Sequence, residues 1–107
     1  MKITFEKIVS DHLEFTSRTF PKGTSIGALL HAEREIKEVI EELEMSEVNK
    51  QRLCVEYADI FGCITDSANR AGLEFIDIIL AWNKKLTINK SREWKDNGDG
   101  SYSHIKK

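Results

Sequence analysis

The stretch from Leu29 to Leu43, Leu-Leu-His-Ala-Glu-Arg-Glu-Ile-Lys-Glu-Val-Ile-Glu-Glu-Leu, constrains the fold of this chain more than any other. At about 100° per residue, Leu29, Ala32, Ile36, Val39, Ile40 and Leu43 fall on one helix face. His31, Glu35, Glu38 and Glu42 run beside that stripe, within a sector of roughly 60° on its flank. Carboxylates crowded against the edge of a core repel one another and resist desolvation. The line therefore calls for positive charge, either from Lys and Arg or from a metal ion.

The rest of the chain is read around that helix. A chain of 107 residues is expected to form one domain, with core helices at roughly 25–90 and a C-terminal tail at 91–107. Alone it can bury only a modest core, and a dimer or larger assembly would bury much more. Apolar residues at 40%, charged residues at 32% and a single proline point to a soluble, helix-rich chain. The net charge of -2 leaves no basic surface for a nucleic-acid polymer. Cys54 and Cys63 occur without a CxxC motif or a Cys/His quartet. That excludes a zinc site or disulfide framework and predicts small buried residues in a reducing compartment. The first residues carry no long apolar run. Neither a secretory signal nor a membrane span is expected, and the cytoplasm is the expected location.

In order, residues 4–19 predict a short amphipathic helix, with Phe5, Ile8, Val9, His12, Leu13 and Phe15 at loosely helical spacing. Phe20-Pro21-Lys22-Gly23 breaks it, and Thr24 or Ser25 can cap the helix at 25–44. Ser46, with Glu47 behind it, is expected to cap a third helix that runs to Ala71, with Gly72 as its stop. Its expected core line is Leu53, Tyr57, Ile60, Ile64, Ser67, Ala68 and Ala71. Arg52, Glu56, Asp59, Cys63, Asp66 and Arg70 lie beside that line. A fourth helix at 74–90 is apolar nearly all round at its start, as a buried or interface helix is. Asn97-Gly98 and Asp99-Gly100 predict a small hairpin or ordered loop in the tail.

Two carboxylate pairs carry the candidate chemistry: Glu35-x-x-Glu38 and Glu56-x-x-Asp59. Each places two carboxylates about one turn apart, and antiparallel neighbouring helices would bring all four together. Hard oxygen ligands suit Mg²⁺ or Mn²⁺, and a site of that kind acts on phosphate esters or anhydrides. The competing reading is a charged, solvated helix face, which fits Glu33, Glu41, Glu44 and Glu47. Lys85, Asn89 and Arg92 share a face that could grip a polyphosphate or simply complement the helix dipole. Phe20, Trp82, Trp94 and Tyr102 are candidates for stacking on a base. His31 reads as a ligand, a supporting group, or a surface partner of Glu35. There are no Glu-x-x-His pairs for a di-iron centre, no phosphate-binding glycine loop and no GxSxG.

The order of these pieces resembles the MazG-like all-α nucleoside triphosphate pyrophosphohydrolases, whose motif is ExxE followed by ExxD. Phe20-Pro21, His31-x-x-x-Glu35-x-x-Glu38, Glu56-Tyr57-Ala58-Asp59, Asp66 before Arg70-Ala71-Gly72, Lys85-Leu86-x-x-Asn89-x-x-Arg92-x-Trp94, and Asp99-Gly100 with His104 are similar to its small phage and bacterial dATP/dGTP diphosphohydrolase-like branch. The resemblance implies an all-α, MazG-like bundle of about four helices, completed by oligomerisation into a homodimer or homotetramer. It implies an Mg²⁺-dependent enzyme, with Mn²⁺ as the alternative ion. The enzyme would convert a (d)NTP, favouring a purine deoxynucleotide such as dGTP or dATP, to (d)NMP and pyrophosphate. Glu35, Glu38, Glu56 and Asp59 would be the catalytic metal ligands. Lys85, Asn89 and Arg92 would hold the triphosphate, with Asp66, His31 and Trp94 as further substrate contacts. The alternative is a non-catalytic helical oligomer that binds a basic protein partner or a nucleotide through its acidic face.

Overall fold

The computed structural model describes residues 2–106. Four helices, α1 (Phe5–Thr19), α2 (Ser25–Leu43), α3 (Lys50–Arg70) and α4 (Phe75–Lys90), precede two short strands, β1 (Trp94–Asp96) and β2 (Tyr102–His104). The chain separates into two compact units, one ending at Phe75 and one beginning at Ile76.

In the first unit, side-chain caps set the helix starts. Thr4 accepts a hydrogen bond from the Lys7 N–H, and Thr24 accepts from Gly27. Both satisfy donors that the first turn of a helix leaves open. α3 begins later than the sequence predicted. Asn49, not Ser46, is its cap, accepting from the Arg52 N–H at 3.1 Å. Ser46 and Glu47 lie in the turn before it. Both residue types are good caps, so local propensity could not separate them.

Cross-helix bonds fix the directions. Ser25 and Ser67 exchange hydroxyl-to-carbonyl bonds of 2.8 Å each. Glu42 meets Arg52 at the other end of the pair. The start of α2 thus lies against the end of α3, and the two run antiparallel. α1 lies along α3 in the same sense. His12 Nε2 is 3.0 Å from the Gly62 carbonyl oxygen, and it donates, because a carbonyl only accepts. That approach needs a glycine: a Cβ at position 62 would stand 2.8 Å from His12 Cε1.

The distribution of burial departs from the expected core. Among the described residues the buried apolar side chains are Ala32 and Val39, while Thr16, Glu42, Asp66 and Ser67 are buried polar ones. Leu29, Ile36, Ile40, Leu43, Tyr57 and Ile64, all assigned to apolar stripes, remain exposed. On α3 the buried and half-buried positions include Leu53, Ile60, Ser67 and Ala68 of the expected core line and, beside them, the polar line through Glu56, Cys63, Asp66 and Arg70.

The second unit holds most of α4 and the hairpin. No residue of α4 is buried, and Trp82 is 65% exposed. β1 and β2 pair antiparallel, Trp94 opposite His104 and Asp96 opposite Tyr102. Asp96 and Asp99 stabilise the connecting loop by accepting from the N–H groups of Gly98 and Ser101. No described helix is long and apolar enough to cross a membrane.

Candidate functional site

Helical spacing puts Glu35, Glu38 and Glu42 along α2, and Glu56, Asp59 and Asp66 along α3. The antiparallel packing sets the two rows side by side. Glu42 and Glu56 meet directly. Burial first, then hydrogen bonding and repulsion from Glu56, raise the Glu42 carboxyl above its ordinary range, against the pull of Arg52. Arg52 Nε lies 3.4 Å from Glu42 and 3.3 Å from Glu56. The second Glu56 oxygen, Oε2, is buried and has no hydrogen-bond partner.

Further along, Cys63 sits among the other carboxylates. Burial is the main reason its thiol pKa is raised. Glu35, Asp59 and Asp66 push it further in the same direction, and Arg34 opposes them. Glu35 is half-buried and stands 3.3 Å from His31 Nε2. Glu38 and Asp59 are exposed. Among the described residues, no three Asp, Glu, His or Cys side chains close into a ready-made metal cage. Carboxylates that share a face without a cation between them repel each other.

A cleft of about 650 Å³ opens beside this ridge, between α1 and α3. Phe5, Ile8, Phe15, Phe20 and Phe61 supply apolar walls, while His31, Asp59, Cys63 and Asp66 line the acidic side. Its volume is that of a small-molecule site, with an apolar lining and a few polar groups. Phe15 and Phe20 form an edge-to-face pair at 5.7 Å. Arg70 fixes their end of the cleft. Its Nε donates to Asp66 Oδ1 and Oδ2 at 3.0 and 3.1 Å, and its terminal nitrogens donate to the carbonyls of Thr16, Phe20 and Gly23.

The structure thus gathers Glu35, Asp59 and Asp66 around Cys63, and Glu56 against Glu42. The remaining candidates lie in the second unit. Lys85 is exposed, and Asn89 and Arg92 are half-buried. Asn89 Oδ1 is enclosed without a partner. The Trp94 indole N–H donates to the Asn89 carbonyl at 3.0 Å. Of the four proposed stacking aromatics, Phe20 lines the cleft, and Trp82, Trp94 and Tyr102 belong to the second unit. Sequence reasoning placed Glu42 on the acidic row but missed its contact with Glu56, and it missed the contribution of α1 to the cleft. It also missed the clamp made by Arg70, although the Asp66/Arg70 spacing of one turn was an available signal.

The sequence profile of the dATP/dGTP pyrophosphohydrolase family matches residues 8–107. The chain belongs to this family. As a dATP/dGTP pyrophosphohydrolase family member it is a nucleoside triphosphate pyrophosphohydrolase. Its fold is MazG-like: the MazG-like pyrophosphohydrolase of cyanophage S-2L, solved with dGDP and three catalytic Mn²⁺ ions per active site, superposes with a TM-score of 0.76. The two sequences are 24% identical, and the match covers 98% of this chain and 100% of that one. None of the curated proteins matches the chain.

Proposed function

We propose that the chain hydrolyses a purine deoxynucleoside triphosphate, dGTP or dATP, between the α and β phosphates, releasing the monophosphate and pyrophosphate. The observation that carries this reading is the double position of Asp59. It belongs to the carboxylate ridge, one turn after Glu56 on α3, and it also lines the aromatic cleft. A nucleotide whose base enters the cleft would therefore bring its phosphates to the ridge.

The ridge fits divalent metal. Glu35, Glu38, Glu56 and Asp59 are the residues that would hold it, as hard oxygen donors suited to Mg²⁺ or Mn²⁺. The buried, unpartnered Glu56 Oε2 is an acceptor that this chain leaves free for a cation. Bound there, divalent ions supply charge neutralisation for the phosphates and lower the pKa of a water. The protein's share is positioning. The Phe15/Phe20 pair offers a surface for the base, and Asp66 and His31 stand on the polar wall beside it. Lys85, Asn89 and Arg92 are the residues proposed for the triphosphate, with Trp94 as a further substrate contact.

The decisive measurement is pyrophosphate release across a panel of ribo- and deoxynucleotides with Mg²⁺ or Mn²⁺. The purine deoxynucleotides are expected to turn over fastest, and a chelator to stop them. No release from any nucleotide with either ion would overturn the reading.

The same chain is proposed to act as a homodimer or homotetramer. Leu29, Ile36, Ile40, Ile76, Leu80 and Trp82 are large apolar side chains left exposed by a single chain. Faces of that extent are normally covered in soluble proteins. Sedimentation at micromolar concentration is expected to give a dimer or tetramer, and a monomer there would refute the assembly.

A further inference from the structure

The carboxylate ridge already carries one cation of its own. Arg52 Nε bears a single hydrogen, yet it stands between two carboxylates from different helices, Glu56 Oε1 at 3.3 Å and Glu42 Oε2 at 3.4 Å. The carboxylates are nearly closed off, at 10% exposure for the Glu42 side chain and 14% for Glu56, whereas Arg52 reaches in from solvent at 71%. That N–H donates to Glu56 Oε1 alone, with Glu42 Oε2 as an ion-pair neighbour, and Glu56 Oε2 is left buried without a partner. An exposed arginine is a weak holder: its side chain gives up conformational freedom and water competes for it. A compact divalent ion carries twice the charge and takes several oxygens at once.

We propose that Arg52 is the resident counter-ion of the metal-free enzyme. It holds Glu56 in place through a bridge shared with Glu42, and it gives up Glu56 when divalent metal binds. Glu42 is then the residue that keeps Arg52 beside the ridge after the exchange. Metal loading becomes a cation exchange, so Arg52 sets how much free metal the enzyme needs. The inference rests on reading Glu35, Glu38, Glu56 and Asp59 as the metal ligands.

The test is calorimetric titration of the full-length chain with Mn²⁺ in the absence of nucleotide, for wild type, Arg52→Gln, Arg52→Lys, Lys50→Gln and Asp59→Asn. Arg52→Gln is expected to bind Mn²⁺ on the order of fivefold more tightly, the scale of two exposed ion pairs that no longer compete. Lys50, exposed in the same first turn of α3, controls for the loss of one positive charge, and its neutralisation should change the affinity less than about twofold. Arg52→Lys keeps a competing cation and should stay near wild type. Thermal unfolding gives a second readout: Arg52→Gln should melt lower than wild type without metal and gain more on adding Mn²⁺. If Asp59→Asn weakens Mn²⁺ binding while Arg52→Gln behaves like Lys50→Gln, the counter-ion role is overturned and the metal centre stands. If wild type binds no Mn²⁺, or Asp59→Asn binds it unchanged, both are overturned.

Discussion

Asp59→Asn is expected to reduce pyrophosphate release on the order of a thousandfold, with helical content and melting temperature close to wild type. The size of the loss follows from charge. A (d)NTP brings about four negative charges to a ridge of carboxylates, and phosphoanhydride hydrolysis is mostly positioning and charge neutralisation. Asparagine keeps the volume of aspartate but removes the anionic ligand, so a divalent ion is held more weakly where ridge and cleft meet. The fold should be spared because Asp59 is exposed and α3 is held by other groups, the Ser25/Ser67 exchange and the Arg70 clamp among them. Glu38→Gln is expected to behave alike, since Glu38 is also exposed. Glu47→Gln, in the turn before α3, serves as the matched loss of one acid and should stay within about twofold of wild type. Pyrophosphate release measured beside circular dichroism checks all three. Asp59→Asn activity within tenfold of wild type would remove Asp59 from the site.

What the sequence could and could not reveal follows from which interactions are local. The start of α2 was legible because Thr24 bonds a backbone N–H three residues on. The start of α3 was not, because Ser46 and Asn49 are competing caps and only the folded turn selects Asn49. Helical periodicity correctly put Glu35, Glu38 and Glu42 on one row. It could not show that Glu42 meets Glu56, since that contact depends on the register of two antiparallel helices. The expectation of an apolar core along both stripes held only in part, for a related reason: Ala32, Val39 and Ser67 are buried and Leu53, Ile60 and Ala68 half-buried, while Leu29, Ile36, Ile40, Leu43, Tyr57 and Ile64 are exposed. Periodicity identifies an amphipathic face but not what covers it. Within one chain only Ala32 and Val39, among the described apolar residues, are buried. Arg70 shows both sides. Its bond to Asp66 spans one turn and could be read, whereas its carbonyl partners lie 47, 50 and 54 positions away.

That clamp is where the largest loss of stability is expected. Arg70→Ala should destabilise the chain by about 3–5 kcal/mol, the cost of removing one partner from a buried ion pair. The arginine side chain is 16% exposed and Asp66 11%, so the stranded carboxylate could not simply rehydrate. The carbonyls of Thr16, Phe20 and Gly23 would lose their guanidinium donors in the same step. For a domain of this size such a loss lowers the melting temperature by roughly 15–30 °C. Arg70→Lys should recover only part of it. An ammonium is a point charge on a flexible stem and cannot hold a carboxylate and three carbonyls from one planar fork. The clamp also fixes the end of α1 that carries Phe15 and Phe20, so the variants should lose nucleotide binding as well as stability. At a temperature where Arg70→Lys remains folded, KM for the nucleotide is expected to rise more than kcat falls, because Arg70 bonds none of Glu35, Glu38, Glu56 and Asp59 while the cleft wall beside Asp66 loosens. Thermal unfolding and steady-state kinetics on the two variants decide the matter. A destabilisation below about 1 kcal/mol for Arg70→Ala would mean that the bonds from Arg70 to α1 do not hold the cleft together.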